Sequence, residues 1–230
     1  MAALPHPLPD PRLFPTLCLM VVTASLGFPL VGQAQDGIIR DDLVTIFDLG
    51  RMVADTNGDA VPDFVQASLV IGTTPSAAEL SAAAEISARL GFETMAMDLP
   101  IARGDSELIP IVIGRSGLRA SGITSPGLDP ASLDSGEGAV AVVESDNRVW
   151  VIVIGGDDDG LLTAARLFSG VLPHTRTLST ASLSRVRDDL EAALKVTGLE
   201  GASLRISQAR ARSHQDGITR LIVEVTTSEP

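Results

Sequence analysis

The chain is poor in the side chains that most often carry chemistry. Among 230 residues it has one cysteine, three histidines, one tryptophan, no tyrosine and a single lysine, Lys195. The cysteine, Cys18, lies in an apolar N-terminal run, so a chain shortened past that run has no thiol for a disulfide, a zinc site or a nucleophile. Only His174 and His214 follow the run. A histidine-rich metal centre is therefore excluded, and a catalytic triad would need one of these two. No serine sits in a G-x-S-x-G elbow. Aromatic residues make up 3% of the chain, which leaves little for a surface on which sugars or bases stack.

Positive charge is scarce as well. Seventeen basic residues face 29 acidic ones, for a net charge of −12. A polyanion would be repelled, which excludes nucleic acid as a partner. Solubility accounts for most of this acidity. What is abundant is small aliphatic residue content. The chain is 45% hydrophobic with few rings, so its core must be built from Val, Ile, Leu and Ala. Its length suits one domain with a substantial core and a small appendage.

Residues 1–34 read as a signal peptide. An apolar run from Leu13 to Leu26 meets Gly27 and Pro29, and Gly32-Gln33-Ala34 offers small residues where a signal peptidase reads. The expected mature start is Gln35, and the expected location is secreted or periplasmic, with no stable membrane span after cleavage. An uncleaved anchor is the competing reading. Against it, the uninterrupted stretch Leu17–Leu26 is short beside the roughly 20 residues that a span needs.

Beyond this leader the pattern alternates between strands and helices. Val44–Val53 and Phe64–Ile71 read as strands. Thr74-Pro75-Ser76 opens a helix, with Thr74 as cap and Leu80, Ala83, Ala84, Ile86 and Leu90 on its apolar face, and Gly91 stops it. Phe92–Leu99 and Leu108–Ile113 are expected strands, the latter buried. Ser116–Gly136 is rich in Gly, Ser and Pro and reads as a long surface loop. Ala139–Glu144 and Arg148–Ile154 form a hairpin, and Leu161–Val171 a helix. A linker at 175–180 leads to an amphipathic helix, Ala181–Val196, and two strands, Ser203–Arg212 and Ile218–Thr227. The expected fold is α/β: a layered sheet-and-helix sandwich over residues 35–174, with a small C-terminal helix plus β-hairpin appendage over 175–230.

Two local motifs stand out. In Asp55-Thr56-Asn57-Gly58-Asp59-Ala60-Val61-Pro62-Asp63, oxygen-bearing side chains fall at relative positions 1, 3, 5 and 9. Calcium takes six to eight oxygens, and alternating Asp and Asn on a tight turn can converge on one ion. Asp55, Asn57, Asp59 and Asp63 are thus candidate metal ligands, with calcium the expected ion. A solvated Asx turn explains the same residues. The segment resembles the short D-x-N-G-D-G-x-x-D calcium loops of secreted repeat proteins, but it has Ala60 in place of a second Gly and occurs once. The second motif is Gly155-Gly156-Asp157-Asp158-Asp159-Gly160, between a strand and a helix. A glycine turn at a helix N-terminus suits an anion. Three aspartates there would repel a phosphate, and the G-x-G-x-x-G spacing is missing. The aspartates read as helix caps, with cation or ligand binding as the alternative.

The segments Ile111-Val112-Ile113-Gly114-Arg115, Gly136-Glu137-Gly138-Ala139-Val140 and Val151 to Leu161 resemble the small α/β domain that precedes the barrel in β-hexosaminidases and related glycoside hydrolases. The match covers about Val65 to Pro173 and departs at Ala139, where that family prefers an aromatic. The periplasmic subunit of bacterial cellulose synthase carries a similar G-x-D-x-x-G turn. In both comparisons the matched segment is accessory, so the resemblance implies a non-catalytic module with a protein or carbohydrate partner. A carbohydrate-active hydrolase, or a fragment of one, is the alternative. Only 57 residues follow Pro173, whereas a barrel needs about 250. Paired acids at Asp41-Asp42 and Asp188-Asp189 read as lying on surfaces or in lead segments, and no catalytic residue is assigned. Arg205, Arg210, Arg212 and Arg220 give the hairpin a basic face, solvated or docked on the acidic first unit.

Overall fold

Apolar residues at consecutive positions mark strands that are covered on both faces, and the two most apolar runs lie at the centre of a seven-stranded sheet. The computed structural model describes residues 42–94, 101–102, 108–124, 128–145, 147–170, 183–198, 203–214 and 217–228. Their elements, in chain order, are β1 (Val53–Ala54), β2 (Phe64–Val65), β3 (Ala67–Val70), α1 (Ala77–Thr94), β4 (Ile101–Ala102), β5 (Ile109–Ile113), α2 (Gly114–Ser121), β6 (Glu137–Ser145), β7 (Arg148–Gly155), α3 (Asp158–Ser169), α4 (Leu183–Val196), β8 (Ser203–His214) and β9 (Gly217–Ser228). A 3-10 turn covers Pro130–Ser132. The leader and the 175–180 linker lie outside the described residues, as does the expected boundary at 174.

The fold is α/β with helices layered on a mixed sheet. Strand order is β4-β3-β5-β7-β6-β8-β9, and β1 with β2 forms a separate small ribbon. The pairs β4/β3, β3/β5 and β5/β7 are parallel, while β7/β6, β6/β8 and β8/β9 are antiparallel. Side-chain alternation sends Ile111, Ile113, Val140, Val142, Val151 and Val153 to one face, where α1 and α3 cover them. Val112, Ala139, Ala141, Ile152 and Ile154 point to the other face, beneath Leu118 of α2 and the loop residues Leu128 and Leu133. Phe168 of α3 is fully buried, its ring 4.9 Å from that of Phe47.

The expected C-terminal helix and hairpin are present, and β8 pairs with β6, so the hairpin continues the main sheet. Several boundaries differ from the sequence reading. Residues 43–51 form turns and a bend, with one isolated bridge from Leu49 to Val53, and the first strand begins only at Val53. Helix α1 runs through Gly91 to Thr94, so residues 92–94 are helical and not the start of a strand; residues 95–99 lie outside the described set. Within 116–136, where a loop was expected, the chain forms most of α2 and the 3-10 turn.

Of the Asp41-Asp42 pair, Asp41 lies outside the described residues and Asp42 differs from the sequence reading. Asp42 is not a surface group: it is 3% exposed. Its carboxylate accepts the N–H groups of Val44 and Thr45 at 2.9 and 2.7 Å. Arg187 of α4 donates to its second oxygen at 3.0 Å and to the carbonyl of Leu204 on β8, also at 3.0 Å. One guanidinium thus joins α4, β8 and the start of the described chain. Removing one member of a buried pair strands the other charge. Arg187→Ala should cost about 3 kcal/mol of stability. Urea melts would measure the loss, and hydrogen exchange should locate it in α4. An unchanged midpoint would show the pair to be ornamental.

Candidate functional site

The connections out of β3 and β5 run in opposite directions along the sheet. From β3 the chain passes through α1 to β4; from β5 it passes through α2 toward β6 and β7 on the other side. Helices α1 and α2 accordingly lie on opposite faces. This is a topological switch point, where open α/β sheets leave a crevice beyond the carboxyl ends of their strands. An open cavity of about 670 Å³ occupies that place. Thr74, Ser76 and Glu79 border it after β3, Gly114, Arg115, Ser116 and Arg119 after β5, and Gly155 to Asp159 with Leu161 after β7.

Glu79 organises this crevice. Its Oε2 accepts the N–H of Ser76 at 2.8 Å, and the Ser76 hydroxyl accepts the N–H of Glu79 at 3.1 Å. That reciprocal pair is a capping box, so the cap of α1 is Ser76 and not Thr74. The other oxygen, Oε1, accepts the N–H of Ser116 at 2.8 Å. Helix α2 has no side-chain cap of its own, and Glu79 serves it across 37 positions of sequence. The carboxylate is 6% exposed and rests against Gly114, whose φ of +67° and lack of Cβ leave room for it. Burial pushes the Glu79 carboxyl up. The N–H groups of Ser116 and Ser76, the Ser116 hydroxyl and the Arg119 charge outweigh it, so the net shift is downward.

Asp157 does the same for α3. It accepts the N–H of Gly160 at 2.8 Å as N-cap. It also accepts the Ser135 hydroxyl at 2.6 Å and the N–H of Gly136, which ties the long loop to the helix. The Ser135 hydroxyl and then the Gly160 N–H hold its carboxyl below the usual range. Gly138, Gly155 and Gly160 leave no room for a Cβ where the α3 N-terminus seats on β6 and β7. Arg115 spans the crevice, its Nη2 donating to the Gly156 carbonyl at 2.9 Å. The N-termini of α1, α2 and α3 therefore meet at one crevice, and the chain's own carboxylates close all three.

The four expected metal ligands are elsewhere, in the exposed turn between β1 and β2. Asp55 Oδ1 accepts the N–H groups of Asn57 and Gly58, and Oδ2 that of Ala60 at 2.7 Å. Asn57 accepts from Asp59, and Asp59 from Val61. Asp63 accepts both the N–H and the hydroxyl of Thr56 at 2.8 Å. The N–H groups of Ala60 and then Gly58 hold the Asp55 carboxyl below its usual range. Among the described residues no group of three or more His, Cys, Asp or Glu side chains is placed to hold a metal ion. His174 lies outside the described residues, and His214 ends β8. Two arginines of the hairpin pair with acids: Arg212 with Asp134 in the loop before β6 at 2.6 Å, and Arg205 with Glu144 of β6 at 3.4 Å.

Sequence reading assigned Glu79 and Arg119 no place in a site, and took Arg115 only as part of the resemblance. The S-x-x-E spacing of Ser76 and Glu79 was the available signal. The chain matches no protein-family model and no curated protein. Among the described residues no helix is long and apolar enough to cross a membrane.

Three carboxylates with lowered pKa contribute to the acid limb of stability. Their folded values lie below the unfolded ones, so the stabilisation is present above the ordinary values of 3.8 and 4.5 and is lost as pH falls through the lowered ones. Glu79→Gln keeps the shape but removes the charge-assisted bonds, at a cost of about 1–3 kcal/mol at neutral pH. Chemical denaturation between pH 7 and pH 3 should show a smaller fall for this variant than for the wild type. Parallel curves would exclude Glu79 as a contributor.

Proposed function

We propose that the protein is an exported, non-catalytic accessory or binding module, and that the switch-point crevice is where it binds. The observation that carries this reading is the crevice itself, with its rim fixed by Glu79, Asp157 and Arg115. Its described lining has no histidine, cysteine or lysine, hence no group that ordinarily titrates near neutrality to move a proton. A glycoside hydrolase needs one carboxyl with a raised pKa as its acid. Glu79 and Asp157 are shifted the other way and spend their oxygens on helix ends. The accessory reading is thus better supported than the hydrolase one. Export rests on the leader sequence.

Two outcomes test the crevice. A small polar ligand should move the amide resonances of Thr74–Glu79, Gly114–Arg119 and Gly155–Leu161 together in a heteronuclear titration. The protein should leave glycosides, esters and peptides unturned. Turnover abolished by one substitution would overturn the assignment.

Calcium remains the stabiliser proposed for the Asp55–Asp63 turn. The spacing of oxygen-bearing side chains at relative positions 1, 3, 5 and 9 supports it. Calcium would recruit Asp55, Asn57, Asp59 and Asp63 as oxygen ligands. Binding to the folded state alone adds about 2.7 kcal/mol at a hundredfold excess over Kd. The melting temperature should rise in millimolar calcium relative to chelator and stay flat in the Asp55→Ala, Asp59→Ala double variant. Equal wild-type melts in the two buffers would leave a plain Asx turn.

A further inference from the structure

From the charges of the same crevice we infer that its ligand is a small zwitterion with separate carboxylate and ammonium ends, of the size of a dipeptide. The inference rests on the crevice being a binding site. The anion-binding capacity of its three helix N-termini is already taken by Glu79 and Asp157. The positive charge left for a ligand belongs to Arg115 and Arg119, which border the cavity on the α2 side. Arg115 is committed through one nitrogen only, to the Gly156 carbonyl. Asp158 and Asp159 border the cavity on the α3 side; Asp157 alone serves as the side-chain cap of that helix. Among the described residues no ion pair within 4.0 Å joins these two arginines to these two aspartates, although all four border one cavity.

Arg119 also acts on Glu79, but charges of opposite sign that border one cavity without pairing with each other leave a place that a ligand of both signs can bridge. A guanidinium takes a carboxylate by two parallel bonds, and a carboxylate accepts from an ammonium. A phosphate or other simple anion would meet Asp158 and Asp159, and a simple cation would meet the arginines. Each would be penalised by the opposite wall, which gives selectivity by repulsion as well as attraction. The volume of about 670 Å³ lies within the usual range of small-molecule sites and exceeds what a single small amino acid fills.

The test is calorimetric titration of the purified protein with alanyl-alanine, N-acetyl-alanyl-alanine and alanyl-alanine amide, beside the neutral disaccharide maltose. The free dipeptide should bind, and masking either end should weaken it at least tenfold. In Arg119→Gln the free dipeptide should fall to the affinity of its amide. In Asp158→Asn with Asp159→Asn it should fall to that of its N-acetyl form. All these side chains are exposed, and circular dichroism would confirm the fold of each variant. Equal binding of the free and masked dipeptides, or no binding of the free dipeptide, overturns the inference. Crevice amide shifts with maltose alone would keep the crevice as a binding site while removing the zwitterion. No shifts with any of the four would remove both.

Discussion

The crevice end of the sheet depends on one carboxylate. Glu79 is nearly buried, and an ionised carboxylate out of water is costly unless its oxygens are satisfied. Here they meet N–H groups at the starts of two helices on opposite faces of the sheet. Each of those N–H groups would otherwise be an orphan at a helix terminus. The same contact therefore offsets the burial of the acid and caps two helices. Gly114 follows from it, because a side chain there would fall on the carboxylate. So does the tight seat of α2 against the end of β3, where Gly72 lies on Ser116 and Gly117 on the carbonyl of Val70.

This arrangement changes what the switch point can bind. In phosphate-binding α/β folds the helix N-terminus after a glycine turn is left open, and its dipole and N–H groups take the anion. In this chain the dipoles are answered internally. Glu79 answers two of them and Asp157 the third. The Gly155-Gly156 turn is thus not a phosphate cradle. It gives α3 a seat so close that backbone touches backbone, and it turns the Gly156 carbonyl to Arg115. The glycines serve packing, and the aspartate that follows serves capping.

How much of this was legible follows from the range of the interactions involved. β5, β6, β7, α3 and the C-terminal hairpin each carry a local signal: an unbroken apolar run, a hairpin turn, an aspartate cap. Each signal lies within a few residues of the element it sets. Helix α2 carries none. Its sequence, Gly114-Arg115-Ser116-Gly117-Leu118-Arg119-Ala120-Ser121, has two glycines and no cap, and reads as a loop. It is helical because its N-terminal N–H finds an acceptor 37 residues away and because Gly117 fits against β3. Residues 43–51 failed in the opposite sense. They are apolar enough for a strand, yet Asp42 folds them into turns by accepting from Val44 and Thr45. The Arg187 that neutralises Asp42 lies 145 residues away. The crevice was illegible for the same reason: the three turns that form it are distant in sequence and meet only through the order of the strands.

The rim of the crevice also holds two of its charged groups, Arg115 and Asp157, in place. Arg115 carries a long side chain whose rotamer freedom is usually lost on binding. Anchoring one of its nitrogens to the Gly156 carbonyl restricts that freedom in the free protein. The carbonyl is itself placed by the Gly156 N–H, which donates to the carbonyl of Glu137 at 2.9 Å. Asp157, next in sequence, is fixed by Gly160, Ser135 and Gly136. Helix α3 presents Asp158 and Asp159 from its first turn, and that turn sits on glycines that permit no shift. Arg115 is therefore positioned by a main-chain carbonyl, and Asp157 by two main-chain N–H groups and the Ser135 hydroxyl. Had Arg115 and Arg119 been held by Asp158 and Asp159, a ligand would have had to break those ion pairs to enter. Held as they are, Arg115 and Asp157 border the cavity in positions set by the chain itself.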